Sequence, residues 1–118
     1  MSKKETGQSG EKLAVEFLKK QGFKIMETNF NSKFGEIDII AKEKDCLVYI
    51  EVKTRSSREF GLPEEAVGYR KLEHIKKAAD FYRSTHKKLP ESDRVDVVAI
   101  EKEGNVIKRT ELIRNVTG

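Results

Sequence analysis

Residues 34–55 read FGEIDIIAKEKDCLVYIEVKTR. Two stretches, 36–42 and 47–54, are rich in isoleucine, valine and tyrosine, which suit a pleated surface. The short polar segment Glu43-Lys44-Asp45 joins them, so the stretch predicts a β-hairpin although its turn lacks glycine. Successive strand side chains point to opposite faces. That parity puts Ile37, Ile39 and Ala41 on one face of the first strand, with Glu36, Asp38 and Ile40 on the other. On the second strand Val48, Ile50 and Val52 share a face, and Tyr49, Glu51 and Lys53 share the opposite one. A two-residue loop, Lys44-Asp45, sets Asp38 opposite Glu51 and Glu36 opposite Lys53. A four-residue loop sets Asp38 opposite Tyr49 and leaves Glu51 as a diagonal neighbour. Either register predicts Asp38 and Glu51 on one face.

Carboxylates facing each other at about 4.5–5.5 Å repel. A divalent cation between them turns repulsion into attraction, and Mg²⁺ suits such a place because it prefers hard oxygen ligands and keeps several waters. Metal-bound water is the nucleophile that phosphodiester hydrolysis needs, and the cation neutralises charge on the phosphate. Lys53, two residues beyond Glu51, is placed to orient that water or to stabilise developing negative charge. The ordinary account of Glu-x-Lys on a strand is a solvated face carrying a weak ion pair.

Outward from the hairpin, residues 9–21 predict a helix with Leu13, Ala14, Phe17 and Leu18 on one stripe, stopped by Gly22. Residues 23–28 alternate like a half-buried strand, and 29–33 are turn-like. Residues 55–63 form a loop. Pro63 opens a helical region that Gly68 interrupts, and from 69 to 86 the residues Leu72, Ile75, Ala79 and Tyr82 repeat at helical spacing. Residues 95–100 are apolar except Asp96, as in a strand covered on both faces. Gly104-Asn105 turns the chain into a last strand over 106–112. The fold class is α/β, a mixed sheet flanked by helices in the order α-β-β-β-α-β-β.

The 118 residues suit one domain, expected over 9–118 behind a flexible tail at 1–8. Charged residues make up 37% of the chain and the net charge is +4, a balance that favours an anionic partner such as nucleic acid. The single cysteine excludes an internal disulfide framework and a zinc site of several cysteines. The polar opening carries no apolar signal stretch, and no apolar run approaches the roughly 18 residues of a membrane span. A cytoplasmic protein that does not engage membranes is expected. In the loop after the second strand, Arg55 and Arg58 are placed to hold substrate phosphates.

The segments Phe34-Gly35-Glu36-Ile37-Asp38-Ile39-Ile40-Ala41 and Tyr49-Ile50-Glu51-Val52-Lys53-Thr54-Arg55 resemble the YraN-like family of small predicted nucleases. So do Gly10-Glu11, Pro63-Glu64-Glu65-Ala66-Val67 and Arg94-Val95-Asp96-Val97-Val98. The wider resemblance is to the PD-(D/E)XK, restriction-endonuclease-like group, which includes archaeal Holliday junction resolvases. It spans nearly the whole chain, with Ile37 standing where the group's name has proline. It implies a metal-dependent endonuclease that hydrolyses DNA phosphodiester bonds, with branched, Holliday-junction-like DNA as one candidate substrate. It also implies a site of Asp38, Glu51 and Lys53 with Glu11 as fourth member. Asp38, Glu51 and Glu11 would hold Mg²⁺, for which Mn²⁺ can substitute. Cutting a two-fold-symmetric junction would favour a homodimer. The alternative from another class is a non-catalytic nucleic-acid-binding protein that keeps the nuclease fold. On the first helix Glu11 borders the apolar stripe, within reach of the sheet. Its ordinary account is an acid in a helix's first turn.

Overall fold

The computed structural model describes residues 3–117. Its elements are helix α1 (Lys3–Lys20), strands β1 (Lys24–Ser32), β2 (Gly35–Glu43) and β3 (Cys46–Arg55), helix α2 (Tyr69–Thr85), and strands β4 (Ser92–Glu103) and β5 (Val106–Ile113). A short 3₁₀ helix, Pro63–Ala66, precedes α2. The order is the expected α-β-β-β-α-β-β. The strands lie in spatial order β1-β2-β3-β4-β5. Only β3 and β4 pair in parallel, and the crossover between them carries α2, as a parallel pair requires.

Helix α1 starts at Lys3 rather than at residue 9. Of the tail expected over 1–8, residues 1 and 2 lie outside the described residues. The helix ends as Gly22 predicts. Gly22 sits at φ +98°, its N–H donates to the Lys19 carbonyl at 3.1 Å, and the Phe23 N–H donates to Leu18 at 3.0 Å. This pair of bonds is a Schellman cap, and the apolar contact that accompanies such caps is the one between Phe23 and Leu18, both in the same buried cluster.

Apolar side chains cover both faces of the sheet. On one face Ala14 and Leu18 of α1 pack on Ile39, Ala41, Val48, Ile50, Val98 and Ile100. On the other, Ile75, Ala78, Ala79 and Tyr82 of α2 pack on Ile40, Leu47, Tyr49 and Val95. Each large side chain so buried contributes about 1.5–3 kcal/mol. The middle of the hairpin therefore has no solvated face, and Glu36, Asp38 and Glu51 stand beyond it toward the end away from the turn.

Two expectations are corrected here. The turn expected over 29–33 is largely strand, since β1 continues to Ser32. The cause is Phe30, which pairs with Ile37 across the ladder and packs edge-on against Tyr82, with centroids 5.1 Å apart. Ile37 does not share a face with Ile39 and Ala41; it joins Ile40 in the α2 cluster. The reason lies across the ladder at Asn29, which adopts φ +53°. The β1–β2 pairing passes from Thr28↔Ile39 to Phe30↔Ile37 with no partner for Asp38 between them. Strand alternation resets at that point, and the reset marks the place where β2 carries its aspartate.

Candidate metal centre

The β2–β3 ladder runs from Glu43↔Cys46 to Ile39↔Ile50, the register of a two-residue turn. Lys44 takes φ +53° to make that turn without glycine. Beyond Ile39 and Ile50 the strands part. The outer end of β2 pairs with β1 alone, and Glu51 to Arg55 pair with β4 alone. Asp38 occupies the crotch of this fork. Its Oδ2 accepts a hydrogen bond from the Val52 N–H at 2.9 Å, so a side chain satisfies the donor that the ladder has released.

Helix α1 brings an acid to the same point. Gly10 is buried, and a Cβ there would lie 2.7 Å from Thr54 Oγ1. Only a glycine lets the helix approach β3 this closely. Glu11, the next residue, is thereby set beside the fork. One carboxylate oxygen from each of Glu11, Glu36 and Asp38 lies within 4.8 Å of the other two. Burial and the Asp38 charge raise the Glu11 pKa, the Asn29 amide lowers it by hydrogen bonding, and the Glu36 charge raises it further.

Glu51 stands next to Asp38 and is 8% exposed. Its Oε1 lies 3.5 Å from Lys71 Nζ of α2. Its Oε2 is buried without a hydrogen-bond partner among the described residues. Burial first, and then the Asp38 charge, push Glu51 up to about 7 against the pull of Lys71. Asp38 is also raised, chiefly by burial, and the Val52 hydrogen bond works against that rise.

The sequence-predicted residues divide accordingly. Asp38 and Glu11 come together, with Glu36 rather than Glu51 completing the tightest trio. Glu51 adjoins them through Asp38. Lys53 is close enough for its charge to lower the Glu51 pKa, but the ammonium in contact with Glu51 is that of Lys71. Arg55 follows on β3 and has a buried Nε without a partner. Arg58, expected to face phosphates, is instead clamped on Glu101 through Nε at 2.7 Å and Nη2 at 3.0 Å. Glu36 and Lys71 were missed, and each left a signal. Glu36 stands two residues before Asp38 on the same strand. Lys71 lies four and seven residues before the buried Ile75 and Ala78, on the same side of α2.

Several carboxylates and few ammonium groups crowd the fork, and one carboxylate oxygen there is buried without a donor. An orphaned buried acceptor costs about 1–3 kcal/mol, and more when charged. Hard oxygen donors converging from two strands and a helix could hold a hard divalent cation of the Mg²⁺ or Mn²⁺ type.

Fold and site define a small α/β protein whose mixed sheet opens into a carboxylate-lined fork. Residues 10–100 match the model of the family described as uncharacterised protein family UPF0102, and the chain belongs to that family. It is 46% identical to a UPF0102 protein of Caldicellulosiruptor bescii over 119 aligned positions, covering 98% of both chains. A UPF0102 protein of Thermodesulfovibrio yellowstonii is 50% identical over 100 positions, covering 85% of this chain and 88% of its own. Another, from Acetivibrio thermocellus, is 44% identical and covers 97% of this chain and 92% of its own. No helix of the described residues is long and apolar enough to cross a membrane.

Proposed function

We propose that this protein is a metal-dependent nuclease of the PD-(D/E)XK type that hydrolyses phosphodiester bonds of DNA in the cytoplasm. The observation that carries this reading is the fork itself, where Glu51 Oε2 is buried and unpartnered beside the converging oxygens of Glu11, Glu36 and Asp38. A surface that only had to be soluble would not bury repelling carboxylates.

A bound Mg²⁺ or Mn²⁺ would supply a nucleophilic water at neutral pH and neutralise the phosphate. The chain's own residues have separate tasks. Glu11, Asp38 and Glu51 would hold the cation, with Glu36 beside them, and the Val52 N–H fixes one oxygen of the Asp38 carboxylate. Glu51 would offer its unpartnered Oε2 to the cation. Lys71 orients Glu51 from the α2 side. Lys53 stabilises the negative charge that develops on the phosphate. Arg55 follows along β3 as the phosphate contact, while Arg58 braces its loop through Glu101. A two-fold-symmetric branched substrate would call for a two-fold dimer.

The test incubates the protein with end-labelled linear and four-way-junction DNA in Mg²⁺, Mn²⁺ or EDTA. Cleavage is expected with either metal and none with EDTA, and Asp38→Asn and Lys53→Ala should both abolish it. Cleavage persisting in both variants places the nuclease elsewhere. DNA binding without cleavage in any condition supports the non-catalytic binder instead.

A further inference from the structure

Lys71 is the third residue of α2, whose cap, Gly68, offers no side chain to the free N–H groups and whose first turn holds no acid. A helix N-terminus carries partial positive charge, so an ammonium there is locally unfavourable. No acid of α2 compensates it. The residues three and four positions on are His74 and Ile75, and Glu73 pairs with Lys76 at 3.6 Å. The compensating contact lies across the fold, where Lys71 Nζ stands 3.5 Å from Glu51 Oε1. Its charge also reaches Asp38, lowering the pKa of both acids. A residue that breaks a local rule and meets an acid of the site is placed for that site.

The contact is built to yield. At 3.5 Å it is longer than the ~2.7–2.9 Å of a tight charge-assisted bond. The Lys71 side chain is 44% exposed and that of Glu51 only 10%, so the ammonium can swing to solvent on its long stem while the carboxylate stays buried. Glu51 Oε2 is already buried without a partner among the described residues. The carboxylate thus has one oxygen under Lys71 and the other free. A divalent ion on Oε2 would share that carboxylate with the ammonium, and two cations a few ångströms apart in a buried site repel strongly. The hold of Lys71 on Oε1 helps to aim Oε2, but the repulsion outweighs what fixing one side chain saves. The half-exposed ammonium gives way, not an ion held by several carboxylates.

We propose that Lys71 is the resident counter-ion of the fork, which a divalent cation must push off Glu51, so that this ammonium sets the fork's metal affinity. This rests on the reading of the fork as a divalent-cation site and deepens it to how that site is loaded. Without metal, Lys71 keeps Glu51 from standing wholly uncompensated. With metal, the fork exchanges a mobile monovalent cation for a fixed divalent one.

The test is calorimetric titration of the intact, metal-free chain with Mn²⁺ at about pH 8, where protons compete little for carboxylates. Lys71→Met keeps the stem and removes the charge, and should bind Mn²⁺ about fivefold more tightly than wild type. That factor is the worth of the ~1 kcal/mol that a half-exposed ion pair contributes, at about 1.4 kcal/mol per tenfold. Lys71→Arg keeps the charge and should move the affinity less than about twofold. In Glu51→Gln the acid that carries the competition is gone, so adding Lys71→Met there should also change Mn²⁺ affinity less than about twofold. A thermal melt on each variant checks that it is folded. Tighter binding by Lys71→Met that disappears in the Glu51→Gln background supports the counter-ion. Equal or weaker binding by Lys71→Met overturns it, as does a gain that persists in Glu51→Gln. If the wild type binds Mn²⁺ and Lys71→Met matches it, the cation reading of the fork stands and the counter-ion falls. If neither the wild type nor any variant binds Mn²⁺ saturably, the cation reading falls and the counter-ion with it.

Discussion

Both ends of the β2–β3 hairpin gather charge, and they treat it oppositely. At the turn end, Glu43 receives hydrogen bonds from Arg114 and Arg94. Arg94 also donates to Asp96 at 2.9 Å, and Asp96, though fully buried, accepts the Asn115 N–H at 2.8 Å as well. Glu43 and Asp96 each have a guanidinium partner, and Arg114 hydrogen bonding above all holds Glu43 down at about 2. At the fork end Asp38, Glu51 and Glu11 are all raised. The ammonium that contacts an acid there, Lys71, is 44% exposed. The turn end satisfies its charges internally, as a stabilising element must. The fork leaves Glu51 Oε2 buried without a partner among the described residues.

That contrast breaks first at the turn end. Arg94→Ala strips Asp96 and Glu43 of a partner and leaves Asp96 buried, and should cost about 3–5 kcal/mol of unfolding free energy in urea titrations. A loss below about 1 kcal/mol would mean that the turn end is not the structural clasp described.

At the fork the sign should reverse. Glu51 is raised from 4.5 to about 7, so its folded state binds the proton more tightly than its unfolded state does. Its favourable contribution is fully present below the unfolded value and is lost as pH rises through about 7. Glu51→Gln mimics the protonated acid. In EDTA at about pH 8 it should be more stable than wild type by about 1–3 kcal/mol, and the two should converge near pH 4. Lower stability of the variant at high pH would make Glu51 a satisfied member of a salt bridge, and the two ends would then be alike.

Lys71→Ala sharpens the same point and should have the smallest effect. Lys71 is 44% exposed and 3.5 Å from Glu51, and a Glu51 raised to about 7 can take up a proton when the ammonium is removed, so thermal melts at neutral pH should register less than about 1 kcal/mol. A larger loss would show that Lys71 already discharges the site.

The legible parts of this molecule were those governed by local rules. The hairpin and the nearness of Asp38 and Glu51 were expected under either of two registers, and the structure takes the two-residue turn. Gly22 announced the end of α1. Glu11 at the edge of the apolar stripe pointed toward the sheet, and Gly10 before it is what lets the helix come close. What escaped depends on partners far along the chain. The left-handed Asn29 turns Ile37 to the other face, and nothing within residues 34–41 signals it. Arg58 is taken by a glutamate 43 positions away. Phe30 extends β1 through a stretch of turn-forming residues because Tyr82 of α2 offers it an edge.

The claim that the fork is built for a divalent cation is tested most directly by calorimetric titration of the metal-free protein with Mn²⁺ at about pH 6 and about pH 8. Carboxylates with raised pKa values must release protons to bind. Binding should therefore tighten with pH, show buffer-dependent heats from proton release, and vanish in Asp38→Asn while surviving in Lys53→Ala. Absence of saturable binding at either pH, or equal binding by Asp38→Asn, would contradict the account.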